Sequence, residues 1–140
     1  MLPDLPNKRK KKEADFGIVF RKWLIKNPMP SAPFEHKDTR GGESFYLAEL
    51  TEIQVLNALR CKHSERGSLI RVAKGTIGAA DYVYYYKSPA WIVIKYPTFF
   101  CIIDIDAVVE EKTKSKYLSA SRAIAIAHTV VPSGRRGKSV

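Results

Sequence analysis

Phe16, Val19, Phe20, Trp23 and Leu24 recur at the i, i+3, i+4, i+7 and i+8 spacing of a single helix face. This stripe predicts a helix over residues 13–26. Glu13 and Asp15 fall in its first turn, where the helix dipole favours negative charge, and Pro28 and Pro30 end it. After the turn-like "NPMPSAP", the segment "FEHK" is extended in pattern. Alternation then puts Phe34 and His36 on one face and Glu35 and Lys37 on the other. The stretch "TRGGESFYL" follows as a glycine-bearing turn into Ser44–Leu47, either a hairpin partner of that strand or an irregular extension of the same sheet edge.

A second helix is predicted over residues 50–60. Thr51 stands three residues before Gln54 in a capping-box pattern, and Ile53, Leu56 and Leu59 supply an apolar stripe. Beyond Gly67 the period changes to two. Strands are expected at 68–73, 82–86, 91–96 and 100–105, with Pro89 and Pro97 at the turns between them. The alanine-rich "LSASRAIAIAHTVV" predicts a last helix over 119–131, capped by Ser119, with Ile124, Ala127, His128 and Val131 on one side. This order implies an α/β or α+β fold with one central mixed β-sheet flanked by helices.

Composition places the chain among ordinary single-core domains: 140 residues, 45% apolar. The formal net charge of +10 is unevenly distributed. Lys8, Arg9, Lys10, Lys11 and Lys12 crowd one end, and Arg135, Arg136 and Lys138 the other, while residues 13–131 hold 16 basic and 13 acidic side chains. The expected organisation is one domain, 13–131, between two flexible basic tails, 1–12 and 132–140, too poor in apolar residues to join a core. Phosphate backbones attract such tails whatever their sequence, which makes DNA the expected partner. Tails that only aid solubility are the alternative. No apolar run approaches 18 residues and no secretory apolar segment is present, so a membrane partner is not expected. Cys61 and Cys101 lie in different segments, consistent with an intracellular protein and reduced thiols. Cys61 and His63 lack the further ligands of a structural zinc site.

Glu35 and Lys37, sharing one strand face, can act jointly. A carboxylate holds one side of a hard divalent ion, and an ammonium can orient water and offset charge on a phosphate. The plain alternative is an edge strand with a solvated polar face. Arg40, beside Gly41 and Gly42, is placed either to contact a phosphate or to carry an ordinary hairpin-tip charge. In "YVYYY", alternation sends Tyr82, Tyr84 and Tyr86 to one side, either as sheet packing or, with Trp91, as surfaces for stacking bases. His36 is expected to face away from Glu35, His128 to pack against the protein, and His63 to lie in a loop without a catalytic partner.

The succession "FEHKDT", "SFYL", "TEIQVLNAL" and "GSLIRVA" resembles the PD-(D/E)xK nuclease superfamily, most of all its branch of bacterial and phage Holliday-junction resolvases. The resemblance spans residues 13–106. It implies a restriction-endonuclease-like fold and Mg²⁺-dependent hydrolysis of DNA phosphodiesters by water, with Mn²⁺ as a substitute ion. Branched DNA would be the substrate, DNA recombination the setting, and the cytoplasm or nucleoid, including that of a virus-infected host, the place. A homodimer is compatible with it. Glu35 and Lys37 match the signature, Glu13 is similar to the helical glutamate that joins the metal site, and Gln54 to a glutamine facing the same pocket. The family's aspartate before the ExK strand has no counterpart in "NPMPSAP", where Ser31 is a poor substitute. Asp81 is the remaining candidate ligand if the sheet brings it beside Glu35, and otherwise a strand-start or turn residue. Two expectations follow: a metal-dependent DNA endonuclease, or a catalytically silent nucleic-acid-binding or interaction domain on the same scaffold.

Overall fold

Strands apolar on both faces belong at the centre of a sheet, and strands with one polar face at its edges. The computed structural model follows this rule; it describes residues 8–29, 34–73 and 80–134, with side chains except at 8–14, 72, 73, 80 and 81. β5 (Trp91–Tyr96) and β6 (Phe99–Asp104) pair antiparallel in the middle of a four-stranded mixed sheet. β1 (Phe34–Asp38) lies at one edge, parallel to β5, with Glu35 opposite Ile92 and Lys37 opposite Ile94. β8 (Thr129–Pro132) closes the other edge against β6, giving the order β1-β5-β6-β8.

Helices cover both faces. α1 (Lys8–Lys26) packs Phe16 and Phe20 against Trp91, Val93, Phe100 and Ile102. On the other face α2 (Glu52–His63), α3 (Ile105–Lys114) and α4 (Ala120–Ile126) enclose Ile92, Ile94, Tyr96, Cys101 and Ile103. Gly17 sets the approach of α1 to β1, because a Cβ there would stand 2.9 Å from His36 Nε2. His36 meets Phe16 edge-on with ring centroids 6.1 Å apart. The α1 face of β1 is thus the Phe34 and His36 face, opposite to Glu35, as alternation requires.

Several features differ from the sequence expectations. First, α1 begins at Lys8, so its backbone takes in the basic run, and Val19 points outward at 46% exposure. Second, α2 turns Val55, Ala58, Leu59 and Cys61 inward, leaving Ile53 and Leu56 at the surface. Burial of these four side chains against the main core sets its rotation. Third, the strands do not all join one sheet. β3 (Ser68–Ala73) and β4 (Ala80–Tyr85) form their own antiparallel pair. β2 (Ser44–Tyr46) pairs with β7 (Tyr117–Ser119) instead of with β1, because Phe45 and Leu118, directly opposite each other, are both buried in the main core. Fourth, α3 was not expected. Asp104 caps it by accepting the Asp106 N–H, and Ile105, Val108 and Glu111 repeat every three residues on its buried side. The last expected helix stops at Ile126, and β-branched Thr129, Val130 and Val131 extend instead along the edge of β6.

Ion pairs join the helix ends. Lys62 Nζ donates to both oxygens of Asp104 at 2.7 and 2.8 Å and to Asp106 at 2.6 Å. His63, expected to lack a partner, meets the same Asp106 at 2.9 Å. Arg122 of α4 grips Glu111 of α3 through two hydrogen bonds of 3.0 Å. The Lys62 hydrogen bond holds the Asp106 carboxyl below its ordinary range, and the Arg122 hydrogen bond does the same for Glu111. Cys61 and Cys101 are free thiols inside the core. Burial raises both, Cys101 to about 12, so neither is a thiolate nucleophile at neutral pH.

Two outcomes are expected. Gly17→Ala gains helix propensity of about 1 kcal/mol but collides with His36, so it should stabilise the protein only in a His36→Ala background. Denaturant midpoints of the two single variants and the double variant test this coupling; additive effects would break it. Glu111 titrates lower in the folded chain than in the unfolded one, so its pairing stabilises fully above about pH 5 and fades as pH falls through the folded value. Arg122→Met should accordingly be less stable than wild type at pH 7, with the gap closing under acid in pH-dependent unfolding curves.

Candidate active site on the edge strand

Two independent rules converge on Glu35. Period-two alternation aims Glu35 and Lys37 away from α1, and the start of α2 lies on that same side. Thr51 caps α2 by accepting the Gln54 N–H at 3.2 Å, and Gln54 Oε1 returns the contact by accepting the Thr51 N–H at 2.9 Å. This reciprocal cap decides which way the amide points. With its oxygen on Thr51, the Gln54 amide nitrogen is left to donate to Glu35 Oε1, at 2.5 Å.

Lys37 Nζ approaches the same carboxylate oxygen at 3.7 Å. Its side chain is 10% exposed, against 38% for Glu35, so a sequestered ammonium stands beside a carboxylate open to solvent. Removing a buried cation from water is costly without a nearby anion, and Glu35 meets that need. The residues therefore form a small constellation: a buried cation, an accessible carboxylate and an amide that orients it.

Glu35 and Gln54 also line a cleft of about 280 Å³ whose far wall is built by Leu69, Arg71 and Tyr82 of the β3–β4 pair. The sequence did not single out Arg71. Only the cross-strand register, with Arg71 opposite Tyr82, brings it to the cleft. Asn57 joins the same wall one helical step after Gln54 and accepts from Ser68 Oγ at 3.2 Å.

The other expected site residues are distributed as follows. The backbone of Glu13 lies in α1 and that of Asp81 opposite Val72 in β4, while both side chains fall outside the described ones. Lys8, Arg9, Lys10, Lys11 and Lys12 likewise belong to α1 with side chains outside the description, and Arg135, Arg136 and Lys138 lie outside the described residues. Arg40 occupies a tight turn with positive φ, as does Gly41, and the Gly42 N–H closes that turn on Thr39 O. Its guanidinium makes two parallel hydrogen bonds to Glu49, at 2.8 and 3.1 Å. Asp38 is buried and accepts the Arg40 N–H at 2.6 Å. Trp91 is 8% exposed within the α1-side core and lies against His128, ring centroids 4.8 Å apart and planes tilted by 35°, so its ring is engaged by the protein.

Among the described residues no three His, Cys, Asp or Glu side chains gather into a metal-ligating group. Mg²⁺ is commonly held by one or two carboxylates, with waters and substrate phosphate completing its shell. Glu35 fits the part of a single protein anchor.

No family model, curated protein or solved structure matches the chain. Geometry and residue chemistry carry the functional reading.

The amide contact has a measurable signature. Gln54→Glu can keep the helix cap but exchanges a donor for a second carboxylate against Glu35. Two carboxylates in contact hold a proton more tightly in the folded chain, so the variant should be near wild-type stability below about pH 4 and lose ground as pH rises toward 7. Thermal unfolding across that range tests it; a pH-independent difference would separate Gln54 from Glu35.

Proposed function

We propose that the protein is a divalent-metal-dependent DNA endonuclease of the PD-(D/E)xK type, on a restriction-endonuclease-like scaffold, that hydrolyses phosphodiester bonds in branched DNA. The observation that carries this reading is the convergence of Glu35, Lys37 and Gln54 within hydrogen-bond or ion-pair distance on one face of the edge strand. The connection from β1 through α2 to the parallel strand β5 supports it as well, since it places a helix start directly over the ExK face.

Mg²⁺, or Mn²⁺ in its place, would supply Lewis-acid polarisation of the phosphate and a more acidic bound water. Glu35 would hold the ion, with Glu13 and Asp81 as the further candidate ligands. Gln54 fixes the Glu35 rotamer by donating to one oxygen. Lys37, held by its buried stem, places positive charge where the scissile phosphate gains negative charge and can orient the attacking water. DNA is the proposed partner, drawn by the basic residues at both ends of the chain; a homodimer would suit a four-way junction, which is resolved by two symmetric cuts. Among the described residues, no helix is long and apolar enough to cross a membrane. A second reading, a catalytically silent nucleic-acid-binding or interaction domain on the same scaffold, is favoured by one observation: among the described residues no second carboxylate joins Glu35 in a metal-ligating group.

The deciding experiment incubates the full chain with linear duplex, single-stranded and four-way-junction DNA under Mg²⁺, Mn²⁺ or chelator, beside Lys37→Met, which keeps the buried stem and removes the charge. Wild type should cleave only with metal, and the variant should lose roughly 100-fold or more in rate while still binding DNA. Tight binding with no cutting selects the silent domain. Undiminished cutting by Lys37→Met removes the edge strand from the chemistry.

A further inference from the structure

The β3–β4 pair has two unlike faces. Ile70 and Tyr85 turn inward against the main core. The other face carries Leu69, Arg71, Tyr82 and Tyr84, because Leu69 stands opposite Tyr84 and Arg71 opposite Tyr82 in the antiparallel register. Tyr86 continues the tyrosine row just past the strand. These tyrosines are 63%, 53% and 55% exposed at positions 82, 84 and 86, and Leu69 is 50% exposed. Tyr84 and Tyr86 are stacked, their centroids 5.4 Å apart and their planes 17° from parallel.

Three aromatic rings presented to water on one ribbon are not explained by core packing. More than half of each tyrosine's surface stays in water after folding, and exposed aromatic patches of this kind mark interaction surfaces. Their chemistry selects the partner. Flat π-faces two residues apart along a strand match successive unpaired bases, and sequence-tolerant stacking on such rings is how single strands are commonly held. Arg71 adds a cation within the row, and among the described residues no carboxylate pairs with it. The row also runs into the candidate active site, because Arg71 and Tyr82 line the same cleft as Glu35 and Gln54.

We infer that the outer face of the β3–β4 pair is a stacking platform for unpaired bases of single-stranded DNA, delivering the adjoining phosphate along the Arg71 wall to Glu35 and Lys37. The inference rests on the DNA reading above and narrows its substrate to DNA with an unpaired segment beside the phosphate at the site. A continuous duplex keeps its bases stacked on one another and has none to offer the tyrosines.

Fluorescence anisotropy with the full chain tests it, using a labelled single strand, a duplex of equal length and a single strand carrying abasic positions. Wild type should bind the intact single strand about 10-fold more tightly than the abasic one. Tyr84→Ala should weaken intact single-strand binding by a similar factor while leaving duplex and abasic binding unchanged, and Tyr84→Phe should behave as wild type. Tyr82→Ala is the second probe, and quenching of a 2-aminopurine base in the strand should fall with each alanine. If wild type binds DNA but intact and abasic strands are equal, or the alanine variants change nothing, the platform is overturned and the DNA reading stands. If wild type binds neither strand nor duplex, both fall.

Discussion

The parallel pairing of β1 with β5 is the constraint on which the rest depends. β1 is short and half polar, so its placement depends on an apolar neighbour, and β5 provides one that is buried on both faces. Because side chains alternate, the register with Glu35 opposite Ile92 sends Phe34 and His36 under α1 and Glu35 and Lys37 toward α2. A slip by one residue would reverse every assignment, placing two charges beneath Phe16 and Phe20. Gly17 reinforces the register from the helix side, since only a residue without a Cβ leaves His36 its space.

Gln54 transmits that register to α2. A glutamate would serve the capping box equally well, but it could not donate to Glu35 while accepting from Thr51. Glutamine does both, because its two ends differ. One side chain thereby closes the helix start and orients the carboxylate, while the rotation of the helix follows the burial of Val55, Ala58, Leu59 and Cys61, which leaves Ile53 and Leu56 outward.

The charges divide into two populations. Arg40, Lys62 and Arg122 are each held by carboxylates, and these contacts join the turn after β1 to the short helical turn Leu47–Glu49, α2 to α3, and α3 to α4. Single exposed pairs contribute little to stability, but pairs that span element ends restrict how those elements can separate. Lys37 and Arg71 differ from them. Lys37 is sequestered beside Glu35 at a distance longer than a direct hydrogen bond, and Arg71 stands in the wall of the cleft. The ion pairs between elements organise the fold, while Lys37 lies beside Glu35 and Arg71 lines the cleft that Glu35 also lines.

Periodicity by itself determined much of this protein. The helix through Phe16 and Phe20, the cap at Thr51 and Gln54, and the strands at 68–73 and 91–96 are local, since each depends on side-chain spacing along a few turns or a few residues of extended chain. The shared face of Glu35 and Lys37 and the opposite placement of His36 follow from the same alternation. Other features were decided only by tertiary contact. Residues 129–131 leave the helical pattern because the edge of β6 offers them backbone partners, and β2 abandons β1 because Phe45 reaches the core beside Leu118. The contact of Gln54 with Glu35, 19 residues away, and the closure of the cleft by Arg71 and Tyr82 likewise required the packed fold. Local spacing states which side of an element a residue occupies; which element lies opposite is settled by burying apolar surface between segments far apart in the chain.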